Sequence, residues 1–386
     1  MKSLSTIVAC VLVCGCGDPG GGAGDDGGGG GGGTDGGSGA GDAAIDAAPV
    51  GPAIVRVPVG PGLDNAGLAA GMFPPRLSQT GVFSDLAALT PHPALIPYAV
   101  NTEFWSDGAA KQRWVAVPND GPPYAAAERV AFKPAGLWTF PIGTVTVKHF
   151  ELVLDDSTGA RKRLETRVGV RLASGAFAGA SYRWRADHGD ADLVTSTITE
   201  QNTVVTGGVS KTRTHTYPSP TQCAQCHRTT AGFGLALRTA QLNRELAYPG
   251  GVVENELRAW GEAELFTATY VEANIPTYLH TVPITDTSAS LETRARSYFE
   301  ANCSPCHHPG GPNETWDARF STPLASQNIV GSKVKPGDPA GSGLYQRMSY
   351  ATIDTPATAS KMMPPLAKNH VDVYALDVVE KWILSL

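Results

Sequence analysis

The chain has 386 residues, 42% of them hydrophobic, with 45 glycines, 29 prolines and a formal net charge of −6. That balance excludes the strongly basic surface of a nucleic-acid binder, and the length allows two or three domains. Seven cysteines do not make a disulfide framework here, because three lie in the first sixteen residues and the other four form two close pairs.

Lys2 followed by the short apolar run from Ile7 to Val13 has the pattern of an export signal. The run is too short to span a bilayer. Val13-Cys14-Gly15-Cys16 resembles the box of a bacterial lipoprotein, which implies cleavage before Cys16 and lipid on its sulfur. Cys10 and Cys14 are competing positions, the first with too short an apolar run before it and the second preceded by a poorly suited Val. An ordinary secretory signal is the alternative. By the same resemblance, Gly17 after Cys16 favours the outer membrane, so the expected location is the periplasm or cell surface, held by lipid. Residues 17–50 are dominated by Gly and Asp, a composition that buries nothing and predicts a disordered tether. Such a coil reaches on the order of 30 Å. Its six aspartates carry most of the net charge, and the chain beyond is close to neutral.

Residues 51–216 read as a β-rich domain. Short runs rich in Val, Thr, Trp and Tyr, at 113–117, 138–154, 161–172 and 181–185, are separated by turn residues. Thr144-Val145-Thr146-Val147-Lys148 alternates like a strand with one wet face. Consecutive strands without helical patterns between them predict an antiparallel, sandwich-like domain, with helix confined to about Ser84–Leu89. Trp105, Trp114, Trp138 and Trp184 are core residues on this reading, a docking surface on the other. The domain offers no paired carboxylates, Ser-His pair or metal-spaced histidines around His149 and His188.

Residues 217–285 contain Cys223-Ala-Gln-Cys226-His227, and residues 286–386 contain Cys303-Ser-Pro-Cys306-His307. Cys-x-x-Cys-His is the attachment sequence for c-type haem: two thiols one helical turn apart add to the two porphyrin vinyl groups, and the His meets the iron. A zinc ribbon would place its pairs about 15–20 residues apart without a His after each. A redox-active Cys-x-x-Cys would sit near a βαβ pattern, which is missing here. The expected cofactors are therefore two covalent haems c, on Cys223, Cys226 and His227 and on Cys303, Cys306 and His307. No Met occurs between His227 and Cys303, so the sixth ligand of the first iron is open: His280 or His215, a distant Met72 or Met348, water, or nothing.

Leu291, Ala295, Tyr298 and Phe299 recur at helical spacing ahead of Cys303, and Val371, Tyr374, Ala375, Val378, Trp382 and Leu386 form a second stripe. Met362-Met363-Pro364-Pro365 lies between. This arrangement resembles class I cytochrome c, which implies His307 as proximal ligand and Met363 as distal ligand, with Met362 the alternative and His308 incidental. Over most of its length the chain also resembles a little-characterised family of di-haem c-type cytochromes, commonly lipoproteins. The matching segments are 101–109 (Asn-Thr-Glu-Phe-Trp-Ser-Asp-Gly-Ala), 140–144, 164–167, 301–303, 308–311 and 363–365. The resemblance implies an α+β multidomain protein, the β domain being followed by a mainly α-helical haem region.

The function expected is that of an exported electron carrier passing single electrons between redox proteins, with no catalytic residue of its own. Two alternatives stand beside it. One is a peroxidase-like di-haem enzyme with an open iron at His227, and the other is the electron-accepting subunit of a dehydrogenase complex.

Overall fold

Val, Thr and aromatic residues alternating along Val145–Asp155 make the central strand of an eight-stranded sheet. In the computed structural model the residues described are 51–60, 63, 65–351, 356–366 and 368–386. The expected signal, Cys16 and the tether of 17–50 lie outside them. The strands are β1 (Ile96–Pro97), β2 (Ala110–Ala116), β3 (Val145–Asp155), β4 (Ala160–Arg171), β5 (Phe177–Trp184), β6 (Ala191–Leu193), β7 (Ile198–Thr206) and β8 (Val209–Tyr217). β1 to β6 pair antiparallel in chain order, and the β7–β8 hairpin joins β3 through one parallel pairing, Asp155 with Val205.

The register gives this sheet two different faces. On one, Trp114, Val147, Val168 and Ala180 lie side by side and pack on Leu68, Leu77, Val82 and Leu95. On the other, Arg113, Lys148, Arg167 and Ser181 lie side by side.

Three sequence expectations need correction. The apolar face is covered by the irregular segment 63–95, not by a second sheet, so the domain is no sandwich. Pro74, Pro75, Pro91 and Pro93 deny that cover the donors a ladder needs. Around Ser84–Leu89 there is no helix: Phe83–Asp85 pairs with Thr90–Pro91, and the Asp85 carboxylate accepts from Ala88 N–H at 3.0 Å to close the turn. Beyond Tyr217 the region expected to hold the haems is not mainly α-helical. Its longest helices have twelve residues each, and Pro and Gly in segments such as Pro309-Gly310-Gly311-Pro312 and Pro336-Gly337 break the rest into short turns.

Three helices matter for the site. α1 (Pro220–Cys226) starts with Pro at its first position, and the Gln222 side chain accepts from Ser219 N–H at 3.2 Å. α2 (Leu291–Asn302) and α3 (Val373–Leu384) are capped by Ser290 and Asp372. These two pack through Ala295, Phe299, Ala375 and Trp382, the Phe299 and Trp382 rings 5.7 Å apart. Residues 50–386 form one compact unit. A single core runs from Ile54 through Phe132 and Trp138 to Leu242, Trp260 and Tyr278, so the segment around the first motif has no separate interior. Among the described residues no helix is long and apolar enough to cross a membrane.

Candidate functional site

Both Cys-x-x-Cys-His motifs take the same local form. His227 N–H donates to Cys223 O at 3.0 Å, and His307 N–H donates to Cys303 O at 2.9 Å. Each motif thus makes one helical turn, the first at the end of α1 and the second just past α2. That turn brings two thiols and an imidazole to one side.

Each motif lines a cavity. The first, of ≈ 1200 Å³ including its open mouth, is bounded by Cys223, Cys226, His227 and the polar face of the sheet. The second, ≈ 1660 Å³ on the same basis, is bounded by Cys303, Cys306, His307, Tyr298, Trp316 and Met363. Phe104, Cys226 and Leu366 line both cavities, so motifs eighty positions apart in sequence share a wall.

The four cysteines are free, and burial pushes every thiol up, Cys303 to about 12. Cys226 is raised to about 11, first by burial and then by the neighbouring Cys306. Both imidazoles are held neutral. Burial and then the Lys148 charge lower His227 to about 3, and burial with Lys333 and Arg347 lowers His307 to about 4. His227 Nδ1 lies 3.1 Å from Phe233 O, a bond that fixes the ring and leaves Nε2 to face outward. The Phe177 ring stacks on it at 3.9 Å and 13°. His307 Nδ1 is buried without a hydrogen-bond partner among the described residues.

Met363 lines the second cavity, whereas Met362 is buried outside it. The loop is clamped at Met363: its N–H donates to Arg347 O at 3.0 Å, and its carbonyl accepts from Lys368 Nζ at 2.9 Å. Met348 also lines this cavity, and Met72 is exposed. Neither histidine expected at the first iron reaches the first cavity. His215 is buried against Glu165, Nε2 to Oε1 at 2.9 Å, and His280 is exposed. His308 is buried, its Nδ1 2.8 Å from Pro309 O.

Four cations line the first cavity, and they were not singled out in the sequence. Glu103 pairs with Lys111 at 2.9 Å and Arg113 at 3.3 Å, and Glu165 pairs with Arg167 at 2.5 Å. Lys148 has no hydrogen-bond or ion-pair partner among the described residues. Burial, then Arg113 and Arg167, bring its amine down to about 7. The alternation at 144–148 shows a polar face, but it reads the same whether that face meets solvent or an internal cavity. Of the four tryptophans, Trp114, Trp138 and Trp184 are buried, and Trp105 donates from Nε1 to His370 O at 2.9 Å.

Among the described residues no group of three or more His, Cys, Asp or Glu side chains is placed to hold a metal ion. A haem iron takes four ligands from its porphyrin and needs only one or two from the chain. Paired free thiols, a neutral imidazole after each pair and a cavity beside each motif fit such a group. No family model, curated protein or solved structure matches the chain.

Proposed function

We propose that the chain is an exported di-haem c-type cytochrome that carries single electrons between redox partners, tethered to a membrane by lipid on Cys16. The observation that carries the reading is the shared wall. Two attachment motifs far apart in sequence open onto adjoining cavities, with Cys226 and Phe104 belonging to both. A bound haem supplies one-electron iron chemistry, and neighbouring sites of this kind suit transfer from one to the next. The chain's own residues attach, orient and enclose. Cys223, Cys226, Cys303 and Cys306 would form the thioethers, and neutral His227 and His307 would each offer a lone pair. Clamped Met363, on the same cavity as His307, would offer that iron a soft thioether, a ligand type that favours the reduced state.

The test is haem content and redox behaviour of the full chain expressed with an export signal and a cytochrome c maturation system. Two covalent haems per chain, reduced in one-electron steps and unmoved by peroxide, are expected. Loss of no haem in a Cys223→Ala/Cys226→Ala double variant would overturn the assignment. A haem converted by peroxide would turn the reading to the peroxidase-like enzyme.

A further inference from the structure

Resting on that reading, we propose that Lys148 supplies the second axial ligand to the iron of a haem held on Cys223, Cys226 and His227. The argument is one of position. Thr146, Lys148 and Phe150 alternate along β3 onto the face that floors the first cavity, and all three line it together with His227. Lys148 stands at the centre of that floor, with Arg113 and Arg167 directly opposite on the strands to either side.

The other ligand-bearing side chains on the cavity are spoken for. Cys223 and Cys226 are needed for attachment and His227 for the proximal face. Lys111 Nζ donates to Glu103 Oε2 at 2.9 Å and Phe104 O at 2.8 Å. No Met and no second His lines this cavity among the described residues. Arg167 Nε is also unbonded, but a guanidinium does not ligate iron, which leaves Lys148 as the lysine on this cavity without a hydrogen-bond partner among the described residues. The flanking arginines keep their carboxylate partners, Arg113 with Glu103 and Arg167 with Glu165.

A competing role for Lys148 is to hold a haem propionate by its charge, and Lys148→Arg separates the two, because a guanidinium keeps the charge but does not ligate iron. The experiment is EPR and near-infrared magnetic circular dichroism of the full-length oxidised protein, with haem counted per chain. Wild type should carry two low-spin haems, one with the band position of His/Lys ligation. In both Lys148→Ala and Lys148→Arg, half the haem signal should become high-spin while the haem at His307 is unchanged. A low-spin first haem retained in Lys148→Arg overturns the proposal, as does a wild-type first haem that is already high-spin. If a variant fails to mature, the wild-type band position still decides. A wild type without two haems per chain would instead sink the cytochrome reading beneath it.

Discussion

At the scale of single residues, the sheet's polar face holds together because each buried charge but one has a partner. Glu165 is fully buried and accepts from Arg167 at 2.5 Å, His215 at 2.9 Å and the Ser181 hydroxyl. Burial alone would raise its carboxyl, but Arg167 and His215 outweigh that and hold it at about 2. A depressed acid stabilises the fold above its unfolded value, near pH 4.3, and loses that contribution as pH falls through the folded value. Glu165→Gln should therefore cost about 3–5 kcal/mol at pH 7, the range for breaking a buried pair. The gap from wild type in urea midpoint should narrow steadily between about pH 4.5 and pH 2. An equal gap at pH 7 and pH 3 would show that the carboxylate's charge is not what stabilises this face.

At the scale of elements, the placement of His227 depends on the strands beneath α1. Gly169 and Gly179 face each other across β4 and β5, and Phe177 lies over both. A Cβ at Gly179 would come within 2.6 Å of the Phe177 ring, and one at Gly169 within 2.5 Å. Phe177 is stacked on His227, so a methyl at either glycine pushes the ring toward the imidazole. Gly179→Ala should destabilise the protein by about 1–3 kcal/mol through overpacking. It should also shift the EPR signal of the haem at His227 and leave the one at His307 in place. Identical shifts at both haems would argue for a general loosening. This pair of glycines shows why much of the site is not legible in the chain. The motifs, the helix leading to Cys303 and Met363 stand out because local spacing encodes them. Phe177, Lys148 and Phe104 do not, because their roles come from strand register and from contacts between segments far apart. The helix-rich expectation for the haem region failed for a related reason. Each Cys-x-x-Cys-His motif needs only one helical turn, and Pro and Gly break the chain into loops elsewhere.

At the scale of the whole molecule, two of the apolar cores are joined by a polar clasp. One core takes residues from Ile54 to Tyr278, and the other is drawn wholly from residues 284–383. Between them, Trp105 N–H donates to Asn302 Oδ1 at 2.7 Å and Asn302 Nδ2 donates to Glu103 O at 3.1 Å. The buried Asp107 carboxylate accepts from Asn369 N–H, Asn369 Nδ2 and His370 N–H, each at 2.8 Å. The segment 101–109 thus lies against both haem motifs' surroundings, which gives that stretch a structural role its composition does not announce. Removing the Asp107 carboxylate takes the acceptor from the backbone N–H groups of Asn369 and His370, each costing about 1–3 kcal/mol, on the loop that follows Met363. Wild type should unfold in one thermal transition, because neither core is complete without the wall the other lends to the cavities. In Asp107→Ala the C-terminal layer should come away first. Calorimetry should then resolve two transitions, and the absorption band of sulfur-ligated iron should disappear with the lower one, while the β-sheet circular dichroism signal persists to the higher. A single transition at the wild-type temperature would mean that the clasp contributes nothing, and that the shared cavity wall alone couples the two halves.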